Sequence, residues 1–368
     1  MTGTVTPARE AFGAGVEARL RGAAERLLAY EFRPWFYGDS IGFEGLLAAS
    51  WLLDDRRYVD FARSFLAKWA LHDEPRGPDD NTAPGLVLCE LAETYGDGML
   101  AGAAERLGEF LAARRDVCGA PITFEDASRS LREPYGEGSL SDADRALLDD
   151  PGAGTYVDCL HFDPPFYAAL ADLTGADAWR ARSLAAAAGY ASLLQDRASG
   201  LFHHFWLERR DQAYGLGWGR GQGWALLGLL DVLDRVPVKA RGREGLEGAT
   251  SGLIEAMLRR QQPDGSWHAV AGVEASGPES STAAFMAVGF RRALRLGVGH
   301  PRQLTEAADR AWAATLSNLD QSGLLTGVSA AVYSSTLDEH YHAVPVGFDV
   351  PWGQGPLLVA AATMAGHR

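Results

Sequence analysis

Long uninterrupted apolar stretches are missing from this chain of 368 residues, so no segment reads as a bilayer-spanning helix. The amino terminus carries Arg9 and Glu10 ahead of any apolar run and has no cleavable hydrophobic leader. Cysteine is scarce: Cys89, Cys118 and Cys159 make an odd set of three without Cys-x-x-Cys spacing, which excludes a disulfide framework and suits a reducing compartment. Basic charge is in deficit, 34 Lys and Arg against 48 Asp and Glu, for a net charge of -14. Such a surface excludes nucleic acid and anionic membrane as partners, and an anionic ligand would need a local basic anchor. Strand-like alternation is rare. There is no Gly-x-Gly-x-x-Gly after a strand and no phosphate loop, so no cofactor is expected. His340-Tyr341-His342 lacks a carboxylate at helical spacing, and no metal is expected either. The expected location is the cytoplasm.

What the chain does have is a repeated phrase: an amphipathic helix, a short polar turn, another helix, then a glycine turn. Ala48 to Leu53 leads through Asp54-Asp55-Arg56-Arg57 to Tyr58-Val59-Asp60-Phe61. The phrase returns through Gly96-Asp97 and through Thr174-Gly175-Ala176-Asp177. A second punctuation follows the later helices, at Asp196 to Gly200, Asp264-Gly265-Ser266-Trp267 and Gln321-Ser322-Gly323. These turns lie roughly sixty residues apart, the length of a helical hairpin with its loops. With no Pro/Ser-rich or charged linker, residues 1–368 read as one all-α domain, a closed toroid of helical hairpins. The stretch Gly119 to Thr155 breaks the rhythm as an irregular insertion, with one short helix expected near Ala143 to Leu148.

Three places concentrate chemistry. Gly217-Trp218-Gly219-Arg220-Gly221-Gln222-Gly223-Trp224 sets one guanidinium and two indoles among glycines that obstruct nothing, a pattern suited to a planar, negatively charged sugar. Asp158 lies among Val157, Cys159, Leu160 and Phe162, where desolvation would raise its pKa and make it a proton donor near neutrality. Asp79-Asp80-Asn81-Thr82 precedes a helix beginning near Leu86, where it can cap that helix or serve a site. Asp163, beside Pro164 and Pro165, reads as a cap or turn residue.

Taken in order, several motifs resemble the unsaturated rhamnogalacturonyl hydrolases of glycoside hydrolase family 105, relatives of the family 88 unsaturated glucuronyl hydrolases. They are Asp80-Asn81-Thr82-Ala83-Pro84-Gly85, Tyr95-Gly96-Asp97, Val157-Asp158-Cys159-Leu160 with Pro165-Phe166, and Gly200-Leu201-Phe202-His203-His204-Phe205-Trp206. The series continues with Trp218 to Trp224, Glu279-Ser280-Ser281-Thr282-Ala283 and Gly353-Gln354-Gly355-Pro356-Leu357-Leu358. The resemblance implies a six-hairpin (α/α)6 barrel, and a glycoside hydrolase that releases a 4,5-unsaturated uronic acid from the non-reducing end of lyase-generated acidic oligosaccharides. Its chemistry is hydration: an acid protonates C4, water adds at C5, and the hemiketal collapses to free the neighbouring sugar, so two carboxylates astride the anomeric bond are not required. The resemblance assigns Asp158 as general acid/base and Asp80 as the second acid. It assigns Arg220 to the uronate carboxylate, Trp218 and Trp224 to the sugar ring, and His204 to a hydroxyl, with Tyr37 in the same pocket. Gln222 stands where the family usually has asparagine, His203-His204 replaces a more usual Tyr-His, and Gly119 to Thr155 replaces a shorter histidine-bearing segment. These departures fall where the leaving sugar would sit. Two other readings stay open at this stage: a glucuronyl hydrolase acting on glycosaminoglycan fragments, and a uronate-binding toroid without catalysis. Gln262-Pro263-Asp264-Gly265-Ser266-Trp267 resembles a triterpene cyclase repeat, but it occurs once and without an Asp-x-Asp-Asp motif.

Overall fold

The computed structural model describes residues 6–33, 35–72, 77, 83–129, 135 and 140–367. After a short α1 (Pro7–Phe12), helices alternate between an outer and an inner ring. The pairs are α2 (Ala14–Ala29) with α3 (Asp39–Leu52), α4 (Arg57–Leu71) with α5 (Gly85–Tyr95), and α6 (Gly98–Ala112), after an accessory α7 (Asp142–Asp149), with α8 (Cys159–Thr174). They continue with α9 (Asp177–Leu194) and α10 (Gly219–Arg235), α11 (Arg243–Arg260) and α12 (Ser281–Leu296), and α13 (Pro301–Ser317), after an accessory α14 (Asp338–His342), with α15 (Pro351–Met364). This is an (α/α)6 barrel, as the repeat and the resemblance predict.

Burial separates the two rings. Outer helices bury one stripe, as α4 does with Tyr58, Ala62 and Leu66 at helical spacing. Inner helices are buried around most of their circumference; α10 is buried without interruption from Gly219 to Leu230. Helices packed on all sides need small residues where backbones cross. A Cβ on Gly228 of α10 would lie 2.1 Å from the Leu160 carbonyl oxygen of α8, and one on Gly45 of α3 would lie 2.7 Å from the Cα of Gly355 on α15. The α15–α3 contact closes the ring.

The two kinds of connection explain the two punctuation marks in the sequence. Inner helices α5, α8 and α12 end on left-handed Gly96, Gly175 and Gly297, and the chain turns at once into the next outer helix. Where the turn is tightest, the Asp97 side chain accepts hydrogen bonds from the Met99 and Leu100 amides and starts α6. The second mark, the aspartate–glycine turns, follows outer helices and presses backbone against the next outer helix. A Cβ on Gly265, whose φ is +90°, would lie 2.2 Å from the Arg310 carbonyl oxygen of α13. Gly200 meets α11, and Gly323 meets α2 across the closure, in the same manner.

All long connections run from an outer helix to the next inner one and so gather at one end of the barrel, where the six inner helices begin. The longest are 113–158 and 318–350. The first holds the expected short helix, α7, whose N-terminus is capped by Ser141. It is tied to the second by a Thr336 to Asp144 hydrogen bond at 3.0 Å.

Candidate active site

Six inner helices point their amino termini at this end, each carrying the partial positive charge of its unpaired amides, so the end favours an anion before any side chain is considered. Asp158 immediately precedes α8. It is placed by the strand Gly154–Tyr156, which pairs antiparallel with Phe205–Leu207, itself paired with Gln212–Tyr214. Just beyond that pairing the Val157 amide donates to the His204 carbonyl at 2.8 Å, bringing the two side chains together. Asp158 Oδ2 lies 3.6 Å from His204 Nε2, and both residues are buried. His204 Nδ1 lies 2.8 Å from the hydroxyl of Tyr341, on α14. The Trp218 ring lies 4.4 Å from the His204 ring, centroid to centroid.

Arg220 is the second residue of α10 and is 1 % exposed. Its guanidinium lies between two indoles, 4.9 Å from the Trp218 centroid and 5.7 Å from that of Trp352. Nη1 donates to Ser329 Oγ at 2.5 Å and faces Glu279 Oε1 at 3.5 Å, while Nη2 donates to the Ala330 carbonyl at 3.0 Å. Glu279 is itself saturated: it accepts from Ser281 Oγ, from the amide and hydroxyl of Thr282, and from the Ser329 amide. The Glu279-Ser280-Ser281-Thr282 motif is thus a buried clamp for Arg220.

Three donors around Arg220 are buried without a protein partner: Arg220 Nε, the Tyr37 hydroxyl and Trp224 Nε1. Tyr37 stacks on Trp352 with centroids 5.1 Å apart. Burial pushes its phenol well above the ordinary value, with the Arg220 charge pulling the other way and Asp158 adding to the rise. Trp224 lies one turn after Arg220 on the same face of α10, fully buried, with Phe285, His161 and Phe162 around it. An unpartnered buried donor costs about 1–3 kcal/mol, and these three are free to serve a polar ligand.

The remaining candidates separate. Gln222 is spent on backbone: Oε1 accepts from the Phe202 amide at 2.7 Å, and Nε2 donates to the carbonyls of Phe202 and Trp218. It fastens the His204 loop to α10. Asp80 lies outside the described residues, together with Asp79, Asn81 and Thr82. Asp163 is not a cap or turn residue. It is buried within α8, accepting from Arg114 at 2.7 Å and from Tyr190 at 3.1 Å, and burial pushes its pKa up against the pull of Arg114. His340 meets Ser335 Oγ at 2.6 Å, and among the described residues no three metal-ligating side chains gather.

Several site residues escaped sequence reasoning. Trp352 opens α15 as Pro351-Trp352-Gly353, the same indole-then-glycine helix start as Trp218-Gly219, and that likeness was a usable signal. Tyr341, Ser329 and Ala330 carried none. At the rim, Tyr135 of the insertion stacks on Tyr333 with centroids 5.3 Å apart and donates to the Ala331 carbonyl at 3.0 Å. That carbonyl is next in sequence to the one that holds Arg220.

Comparison with known proteins agrees with this fold. The model of Glycosyl Hydrolase Family 88 matches residues 23–366. The unsaturated rhamnogalacturonyl hydrolase YesR of Bacillus subtilis is 21 % identical over 350 residues, covering 94 % of this chain and 95 % of that one. A possible family 105 member from Salmonella enterica serovar Paratyphi A superposes with a TM-score of 0.80 at 16 % identity, covering 96 % and 95 % of the two chains. The unsaturated glucuronyl hydrolase of Bacillus sp. GL1 superposes with a TM-score of 0.66 at 17 % identity, covering 94 % and 95 %.

Proposed function

The chain belongs to Glycosyl Hydrolase Family 88, and from that premise we propose that it removes a 4,5-unsaturated uronic acid from the non-reducing end of a small acidic oligosaccharide. One observation carries the reading: the buried carboxyl of Asp158 shares this end with Arg220, whose Nε is a buried donor without a partner, so a proton donor and an anchor for a carboxylate lie together. Glu279, also close by, is consumed by the clamp on Arg220. Hydration of an enoate needs an acid that first gives a proton and then takes one back.

In this reading the carboxylate of the sugar is held by Arg220 Nε and the Tyr37 hydroxyl, both donors without another partner. Trp218 and Trp224 bound the ring, and His204 bonds a hydroxyl or the acid itself. Protonated Asp158 transfers its proton to C4. Positive charge develops at C5 and the ring oxygen, water adds at C5, and the water's surplus proton returns to the Asp158 carboxylate. The resulting hemiketal opens and expels the neighbouring sugar. Asp80, by resemblance, orients that water or the ring hydroxyls. The curated relative's name points to rhamnogalacturonan fragments as the first substrates to offer. Three free thiols suit a cytoplasmic enzyme that receives lyase products after uptake.

Turnover in D2O tests the mechanism. Deuterium is expected at C4 of the released sugar, and oxygen from labelled water at C5, as the enoate absorbance disappears. Oxygen label at C1 with no deuterium at C4 would overturn it.

A further inference from the structure

The geometry around His204 fixes more than its position. Four aromatic rings, Trp218, Tyr156, Phe205 and Tyr341, surround the imidazole with centroids 4.4 to 5.7 Å away, so its plane is held. Of its two nitrogens, Nε2 faces Asp158 Oδ2 at 3.6 Å and Nδ1 faces the Tyr341 hydroxyl at 2.8 Å. Neutral imidazole carries one proton, and its neighbours decide where.

Tyr341 is 3 % exposed. Burial pushes its phenol well above the ordinary value, and the backbone of Ser335 is the chief opposing influence. The hydroxyl therefore keeps its proton. Its hydroxyl oxygen lies 2.8 Å from His204 Nδ1, and its proton is directed to that nitrogen.

We propose that Tyr341 is a positioning residue that holds His204 as its Nε2–H tautomer, so that the imidazole turns its N–H toward Asp158 Oδ2, 3.6 Å away, and leaves the transferable proton to Oδ1. This rests on the hydration reading above and adds a directional constraint to it. When Asp158 gives its proton to C4, the carboxylate formed already faces an N–H and needs no rearrangement to be stabilised. The opposite tautomer would set a lone pair against that carboxylate. The close fit guards the arrangement: a Cβ on Gly215 would lie 2.3 Å from the Tyr341 hydroxyl oxygen, so any other residue there would push the phenol away.

Nitrogen-15 NMR of histidine-labelled enzyme reads the tautomer directly, with a His204→Gln sample identifying the resonances. The expected wild-type spectrum has a pyridine-type Nδ1 and a pyrrole-type Nε2 for His204. In Tyr341→Phe the two should move toward an averaged mixture, and kcat should fall about tenfold while KM stays within about twofold, because binding groups are untouched. A pyrrole-type Nδ1 in the wild type, or a Tyr341→Phe enzyme with unchanged tautomer and kcat, overturns the proposal. The wild-type spectrum decides even if the variant does not fold. Since it is recorded without substrate, an enzyme with the expected tautomer but no action on any enoate would refute the reaction and leave the positioning role standing.

Discussion

The two ends of the barrel treat buried polarity in opposite ways. Toward the end with short connections, inner helices bring Glu44, Glu90, Asp231, Arg235 and Arg292 around a cavity of about 110 Å3, and Glu44 reaches His161 of α8. There each charge faces one of opposite sign: Glu44 with His161 at 2.8 Å, Glu90 with Arg235 at 3.2 Å, and Asp231 with Arg292. Burial works against a charged His161, yet Glu44 outweighs it and holds its pKa above the usual value; Glu90 is pushed up to about 7 by burial, with Arg235 opposing. At the end with long connections, charge pairing is used to build a scaffold, the Arg220–Glu279 clamp, and donors beside it are left open. Unpartnered atoms occur in both places, His161 Nδ1 and Asp231 Oδ2 among them, so the contrast lies in what the charges do: one cluster neutralises itself, and the other holds Arg220 in place with its Nε open.

The sharpest test of this contrast is Asp158→Asn, which keeps shape but cannot donate a proton. Activity should fall by a factor of about 10² or more while substrate still binds and the melting temperature stays within about 2 °C, as kinetics, calorimetric titration and thermal melts would show. An equal loss of stability would mean that Asp158 is architecture.

Arg292→Met at the other end should do the reverse. It leaves Asp231 without its partner, and because the pair keeps some solvent contact the expected cost is about 2 kcal/mol of stability, below the range for a fully buried pair. The folded fraction should retain kcat/KM within about twofold. A selective fall in kcat would show that the two ends are coupled.

The smallest effect belongs to the rim. Tyr333→Ala removes one half of the stacked pair with Tyr135, worth about 0.5 to 1.5 kcal/mol, so rates on different leaving sugars should shift relative to one another by about threefold to tenfold. Hydration itself should survive. Identical ratios across a panel of unsaturated disaccharides would remove Tyr333 from the leaving-group side.

Much of the barrel was legible because its rules are local. Left-handed glycines after Tyr95, Thr174 and Leu296 and the aspartate–glycine turns recur wherever a helix must stop or press on another. The core of the site was legible for the same reason: Asp158, His204, Trp218 and Arg220 lie in short motifs, and the fold brings them to one end. What the sequence hid depends on distant partners. Tyr341 meets His204 across 137 residues, and Ser329 meets Arg220 across 109. Asp163 was misread because Pro164 and Pro165 suggest a turn. Yet α8 continues through both, and the Leu160 carbonyl that Pro164 cannot serve packs against the α10 backbone at Gly228.

Ring closure also sets an order on the birth of the enzyme. Arg19 donates to the Leu319 carbonyl across 300 residues, Arg26 pairs with Asp349, and α15 lies along α3. A nascent chain therefore carries the apolar flank of α3 uncovered through most of its synthesis, a state in which chaperones and proteases compete for it. The segment that finally covers that flank also delivers Trp352, one of the two indoles around Arg220, and follows closely on Tyr341. Competence for catalysis thus arrives with the last hairpin, and a half-built ring cannot act on its substrate.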